Sequence, residues 1–520
     1  MSDSKDIKAS SPNGASRRKE RERRETRDRK KTRLISIVVV VVLVVCLCGA
    51  LFINSGYIRN NFTAIDVGGV KFSAAEYSYF YNSSRYVYQN EVYAAYSTVP
   101  ELAQSMLPNA SLPLNSQIQD PVSGATWADF FETRTFTNLS EMVPIYLAAV
   151  DAGYEMPEEE KAAMEYSITS VQESGFIMGY SDFGRYLKYL YGPSMTEKAF
   201  RKAAEFEYMT NSYGAHIFQS FTYTVDELAA YYAENADTLD TFELRSILVN
   251  AEAVSEDDYE STAEYDVAKA GALAAASALA QSIAEEAGSE EAFIAAAKAY
   301  DEVKYETEAS TFLRNRGDAL NDTYAEWIKS AERKPGDVSI FETINAFYVV
   351  RFTGRVPNDY SLVNMRRLVQ LPNTVNQSDY TDDADGYEKA LEEARVNVKE
   401  RAELLFNAFE AGGPTEDKFI ATVNENSAEN VADGLYENVF KWQTTDVIND
   451  WLFDPARVYG EYALFDAGAD GYQIVYFTGL GMRYCDKLAE DGLKKVDLED
   501  WYASFPPAVI KTTWLFSLAD

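Results

Sequence analysis

Phe347-Tyr348-Val349-Val350-Arg351-Phe352-Thr353-Gly354 returns later in the chain as Tyr472-Gln473-Ile474-Val475-Tyr476-Phe477-Thr478-Gly479. Three more landmarks recur in the same order. Leu244-Arg245-Ser246-Ile247-Leu248 matches Met365-Arg366-Arg367-Leu368-Val369, Phe293-Ile294-Ala295 matches Phe419-Ile420-Ala421, and Trp327 matches Trp451. The intervals lie between 121 and 126 residues, which marks a duplicated domain. β-Branched and aromatic residues read the repeated ends as strands. Between them Leu391, Ala394, Val398, Ala402, Leu405 and Phe409 recur every three or four residues and predict one helix face. Gly413-Pro414-Thr415 then breaks the chain and restarts a helix, so each copy reads strand, helix, helix, short helix, strand.

The chain has 520 residues, 47% of them hydrophobic, enough for several cores of ordinary domain size. Its net charge of −34 hides a split, because residues 1–33 hold thirteen Lys/Arg against six Asp/Glu. The acidic remainder argues against nucleic acid, whose phosphates require clustered cations. Leu34 to Ile53 carries no charge and is dominated by Val, Leu and Ile, and about twenty helical residues cover a bilayer core of roughly 30 Å. The basic flank sets a cytoplasmic N-terminus and an external C-terminal bulk. A cleaved signal peptide is the alternative, though this run exceeds the usual apolar core of about 7–15 residues. Cys46 and Cys48 fall inside the span, so Cys485 is the one outer thiol and no disulfide is expected there. One Cys and one His also exclude most zinc sites.

The outer part opens with a helical region. Gly68-Gly69 between Ile65-Asp66-Val67 and Val70-Lys71-Phe72 predicts a tight hairpin. Ser73 with Glu76, and Thr224 with Glu227, have capping-box spacing. The helix after Ser73 carries Tyr77, Tyr79, Phe80, Tyr81, Tyr86, Tyr88, Tyr93 and Tyr96, rings suited either to helix packing or to gripping unfolded chains.

These residues carry a resemblance. Arg245-Ser246-Ile247-Leu248-Val249, Phe293-Ile294-Ala295-Ala296-Ala297, Pro335-Gly336-Asp337-Val338 and the closing strand resemble a parvulin-type peptidyl-prolyl isomerase domain, and the second copy a more divergent one. Upstream, Val67-Gly68-Gly69-Val70, Thr126-Trp127-Ala128-Asp129-Phe130 and Tyr191-Gly192-Pro193-Ser194-Met195-Thr196-Glu197-Lys198 resemble the helical N-terminal domain of SurA- and PrsA-type foldases. The resemblance implies an α+β protein divided into a basic tail (1–33), a membrane helix (34–53), a helical chaperone domain (55–238), two parvulin-like domains (239–358 and 359–484) and a C-terminal packing segment (485–520). Active parvulins place one His in the first strand and one in the last. Those positions hold Ser246 and Tyr348 in the first copy, and Arg367 and Gln473 in the second. The only histidine, His216, lies upstream and reads as a helix-packing residue.

Rotation about an X-Pro bond meets a barrier of ~18–20 kcal/mol set by amide resonance and requires no obligatory proton transfer. Loss of imidazole therefore leaves isomerisation open without favouring it. No Gly-x-Ser-x-Gly elbow, P-loop or complete dinucleotide turn occurs. The acidic loop Thr381 to Glu392 departs from a calcium loop at Thr381 and Lys389 and reads as a solvated helix start. The expectation is a single-pass extracytoplasmic foldase or holding chaperone for exported, unfolded polypeptides, with no cofactor, no metal and no catalytic side chain. An active isomerase and an envelope or division scaffold are the alternatives.

Overall fold

The computed structural model describes residues 37–47, 56–97, 99–381 and 383–518. Contacts divide the chain into two compact units, residues 1–221 with 496–520, and residues 222–495. Both mix helix with antiparallel sheet, an α+β architecture. Of the expected membrane segment only α1 (Ile37–Leu47) is described, a helix with every side chain exposed. The remainder of that segment and the basic tail lie outside the described residues.

The first unit continues with α2 (Gly56–Asn61), β1 (Thr63–Val67), β2 (Val70–Ser73), α3 (Ala74–Ala95) and α4 (Pro100–Ser105). A small hairpin, β3 (Ile118–Asp120) and β4 (Ala125–Thr126), leads into α5 (Trp127–Asp151), α6 (Glu158–Ile177), α7 (Phe183–Tyr191) and α8 (Glu197–Ser220). Gly68 and Gly69 turn β1 into β2 with φ of 57° and 100°, a left-handed backbone that a side chain would resist. The Ser73–Glu76 capping box starts α3, each residue's side chain accepting the other's backbone N–H at 3.2 and 2.7 Å. A further box, Thr126 with Asp129, starts α5. The C-terminal strand β13 (Ile510–Thr512) extends this hairpin to three strands, with Ile65 opposite Thr512 and Val67 opposite Ile510. Phe516 then packs its ring 4.9 Å from Tyr77.

The second unit begins with α9 (Val225–Glu234), capped by the expected Thr224–Glu227 box, and α10 (Ala236–Leu239). The first copy then runs β5 (Thr241–Asn250), α11 (Thr262–Glu286), α12 (Glu290–Tyr300), β6 (Phe312–Arg316), α13 (Asp322–Lys329), β7 (Val338–Glu342) and β8 (Ala346–Val356). The second runs β9 (Ser361–Gln370), α14 (Ala384–Ala411), α15 (Glu416–Asn426), β10 (Leu435–Val439), α16 (Asp446–Leu452), β11 (Tyr462–Asp466) and β12 (Tyr472–Arg483). Their sheets are ordered β6-β5-β8-β7 and β10-β9-β12-β11, element for element the same topology. The closing helix α17 (Tyr484–Ala503) leaves this unit and returns the chain to the first.

Each copy has two more strands than the sequence pattern predicts. β6, β7, β10 and β11 are five-residue strands at sheet edges, mixing charged and apolar side chains, and their pairing partner rather than local alternation defines them. One face of each sheet is covered by the long helix pair. Ile247, Val249 and Val349 pack on Ala276, Ala280, Ile283 and Phe293, while Leu368 and Ile474 pack on Phe409, Phe419 and Val423. α11 is long and apolar enough to cross a membrane by length and composition, yet those buried residues make it the cover of its sheet. Full burial of Phe293 and Phe419 stabilises by about 1.5–3 kcal/mol each.

Asn358 joins the copies and is fully buried. Its amide donates to the Leu239 carbonyl at 2.7 Å and accepts from the Thr241 hydroxyl at 3.1 Å. Its backbone N–H donates to the Tyr232 oxygen at 2.9 Å, and its carbonyl accepts from the Cys485 N–H at 2.6 Å. Asn358→Ala strands two of these buried partners, and urea unfolding followed by circular dichroism should show a loss of about 3 kcal/mol.

Candidate functional site

Register decides where the substituted positions go. Ser246 of β5 lies opposite Val350 of β8, and Tyr348 opposite Leu248. Side chains alternate along a strand, so Ser246 and Tyr348 share one sheet face, one diagonal step apart. That face also carries Phe242, Leu244, Val350 and Phe352, packed on Tyr324, Ala325 and Ile328 of α13. Tyr348 meets Tyr324 edge-on at 5.5 Å, and burial, then proximity to Tyr348, pushes the Tyr324 phenol up.

The second copy repeats the diagonal with Arg367 opposite Val475 and Gln473 opposite Val369. Arg367 is held in a closed polar triangle. It grips Glu429 through Nε and Nη2 at 3.1 and 2.7 Å, donates to the Tyr436 oxygen at 3.0 Å, and Tyr436 donates to Glu429 at 2.8 Å. Gln473 is buried, and its Oε1 has no hydrogen-bond partner. These four positions present two hydroxyls, an amide and a guanidinium held by a carboxylate, groups that can hydrogen-bond a polypeptide. His216 belongs to α8 in the first unit, exposed, with its ring 5.1 Å from Tyr154.

Two polar clasps brace these faces in both copies, and sequence reading missed them. Arg245 bonds Glu290 at 2.7 Å and the Glu308 carbonyl at 2.7 Å, and Arg366 bonds Glu416 at 2.8 Å and the Asp433 carbonyl at 2.9 Å. Arg333 lies over Trp327 and pairs with Asp337, and Arg457 lies over Trp451 and pairs with Glu461. Trp327 meets Phe341 and Trp451 meets Phe465 at the same 5.6 Å and 66°. The repeated Arg, Trp and acidic positions were the available signal.

The first unit holds a cleft of about 1210 Å³. The α3 aromatics serve two tasks: Phe80 enters the core, Tyr86, Tyr88 and Tyr93 reach the cleft wall, and Tyr77 and Tyr81 contribute to both. Tyr88 lies 5.1 Å from Phe130 and 5.7 Å from Phe131, and burial pushes its phenol up. Its hydroxyl donates to the Met106 carbonyl at 3.1 Å. The Gln117 amide ties the rim together, donating to the Asn109 and Leu112 carbonyls and accepting from the Asn109 N–H. Asn82, Gln89, Gln104 and Asn115 add amides among the rings. Aromatic faces with scattered amides suit an extended polypeptide of varied sequence.

Among the described residues no group of three His, Cys, Asp or Glu could hold a metal ion. In the acidic loop, Asp383 caps α14 by accepting from the Gly386 N–H at 2.9 Å, and residue 382 lies outside the described residues.

No family model and no curated protein matches this chain. Among solved structures it is similar to the foldase protein PrsA from Streptococcus pneumoniae, with 12% identity, 52% of this chain and 90% of that one covered, and a TM-score of 0.23. PrsA from Bacillus subtilis shows 14% identity, 53% and 88% coverage, and a TM-score of 0.15. Likeness at these TM-scores carries no structural weight, and the duplicated topology rests on the strand registers.

The Glu416 clasp generates a pH dependence. Donation from Tyr459 at 2.6 Å, then from Arg366, holds its carboxyl below the usual range. A depressed carboxyl contributes stability above its unfolded pKa of about 4.3 and loses it as pH falls through the folded value. The urea midpoint of Glu416→Gln should therefore differ most from wild type near neutral pH, and the gap should narrow in acid.

Proposed function

We propose that this protein is a membrane-tethered, extracytoplasmic holding chaperone and foldase for exported polypeptides. The tyrosine cleft carries the reading. Its rings are large, partly exposed and interspersed with amides, so it can hold an unfolded segment through many weak contacts. Weakness matters, because tight binding of an unfolded client would oppose its folding. The apolar stretch Leu34–Ile53 behind a basic tail supports the tether.

The second unit supplies two isomerase-like sheets from which the imidazoles are missing. Ser246, Tyr348 and Arg367, each half-buried, serve as polar contacts for a client rather than as acid and base, and the buried Gln473 lies behind them. The resemblance to parvulin-type foldases supports this arrangement, as does the shared diagonal in both copies.

The full-length chain should suppress aggregation of an unrelated, chemically denatured protein without ATP. Tyr86 and Tyr93 are 41% and 42% exposed, so Tyr86→Ala with Tyr93→Ala should spare the fold. Suppression should weaken about fivefold, the weight of ~1 kcal/mol of ring contact. Equal suppression by the double variant would refute the cleft as the client site. A proline-limited refolding assay in parallel should show no acceleration that Tyr348→Phe or Gln473→Ala abolishes.

A further inference from the structure

A second cavity in the first unit, about 550 Å³, shares no lining residue with the tyrosine cleft. Three rings form one wall. Tyr79 of α3 lies 5.1 Å from Tyr191 of α7 and 5.6 Å from Phe200 of α8, and Tyr191 lies 5.6 Å from Phe200. Ile168 of α6, 2% exposed, closes an apolar side. Two carboxylates, Glu160 and Glu207, also line the space, and no Lys or Arg does.

The charge in this cavity is uncompensated. The Tyr79 hydroxyl donates to one Glu207 oxygen at 2.7 Å, and among the described residues neither Glu207 nor Glu160 has a cationic partner. The nearby bases are engaged elsewhere: Lys161 with Glu158, Arg201 with Glu165 and Glu197, Lys202 with Glu76. Burial, then the Glu207 charge, pushes the Tyr79 phenol well up, so it remains a donor toward Glu207. A half-buried pair of carboxylates attracts a cation, and ring faces favour one that carries methyl or methylene groups.

We propose that this cavity binds the ammonium group of an organic cation, its alkyl groups against Tyr79, Tyr191 and Phe200 and its charge against Glu207 and Glu160. The shared chemistry has two sources, a free amine such as a choline-type cation or the lysine side chain of a polypeptide. Calorimetric titration of the full-length chain with choline, with acetyl-lysine amide and with dimethylbutanol, the uncharged carbon isostere of choline, separates them. At least one cation should bind at least about tenfold more tightly than the isostere. Preference for choline identifies a free amine, and preference for the lysine compound identifies a polypeptide side chain.

Glu207→Gln keeps an acceptor for Tyr79 and removes the charge, so it should cost the cation a similar factor. Tyr191→Phe should retain affinity and Tyr191→Leu lose it. Failure of both cations to bind, equal binding of the uncharged isostere, or an unaltered affinity in Glu207→Gln would overturn the proposal. The isostere comparison uses the wild-type chain and decides the matter even where a variant fails to fold.

Discussion

The antiparallel pairing of the first and last strand in each copy is the constraint on which the second unit depends. β5 lies along β8 from Thr241 opposite Val356 to Asn250 opposite Ala346, and β9 lies along β12 in the corresponding register. A slip of one residue would turn every core side chain to the wrong face, and both faces here are covered by helices. The pairing also contains the same irregularity twice. Thr353 and Thr478 are each an extra residue in the last strand, and both leave a buried hydroxyl oxygen without a partner. A fault kept at one position in both copies shows a common backbone beneath divergent side chains.

Given that register, the rest of the platform follows locally. Odd and even positions of one short strand part company: Arg245 and Arg366 turn toward the helix pair, while Ser246 and Arg367 turn toward the other face. The first set anchors. Each arginine reaches a glutamate in the first helical turn, where the helix dipole already favours negative charge, and a backbone carbonyl just before the next strand. The second set has diverged, to a serine and tyrosine in one copy and an arginine and glutamine in the other. Anchoring residues repeat because they carry the shared fold, and the face they support is free to vary.

The first unit solves a different problem with the same kind of residue. α3 is too aromatic for one buried stripe, so its rings serve both the core and the cleft according to their angle around the helix. Tyr79 is turned away from the cleft and forms part of the smaller, acidic cavity. β13 and Phe516 complete the core from the far end of the sequence, and Trp501 and Phe505 pack with Tyr213. Chain ends held in this way bind the unit through contacts that no local pattern announces.

Much of the architecture was legible in the residues themselves. The repeat, both first and last strands, the helix pairs, the Gly68-Gly69 hairpin and two capping boxes depend on periodicity, backbone conformation or side chains a few residues apart, and these leave marks in a linear string. The four edge strands were not legible, because a five-residue edge takes its conformation from its neighbour's hydrogen bonds. The clasps at Glu290 and Glu416, the closed triangle around Arg367 and the walls of both cavities bring together side chains that are distant in sequence. Sequence alone determined which residues repeat and that neither copy contains a histidine. Only tertiary packing decided that Ser246 and Tyr348 share a face and that Glu207 meets no cation among the described residues, because register and side-chain proximity are properties of several segments at once.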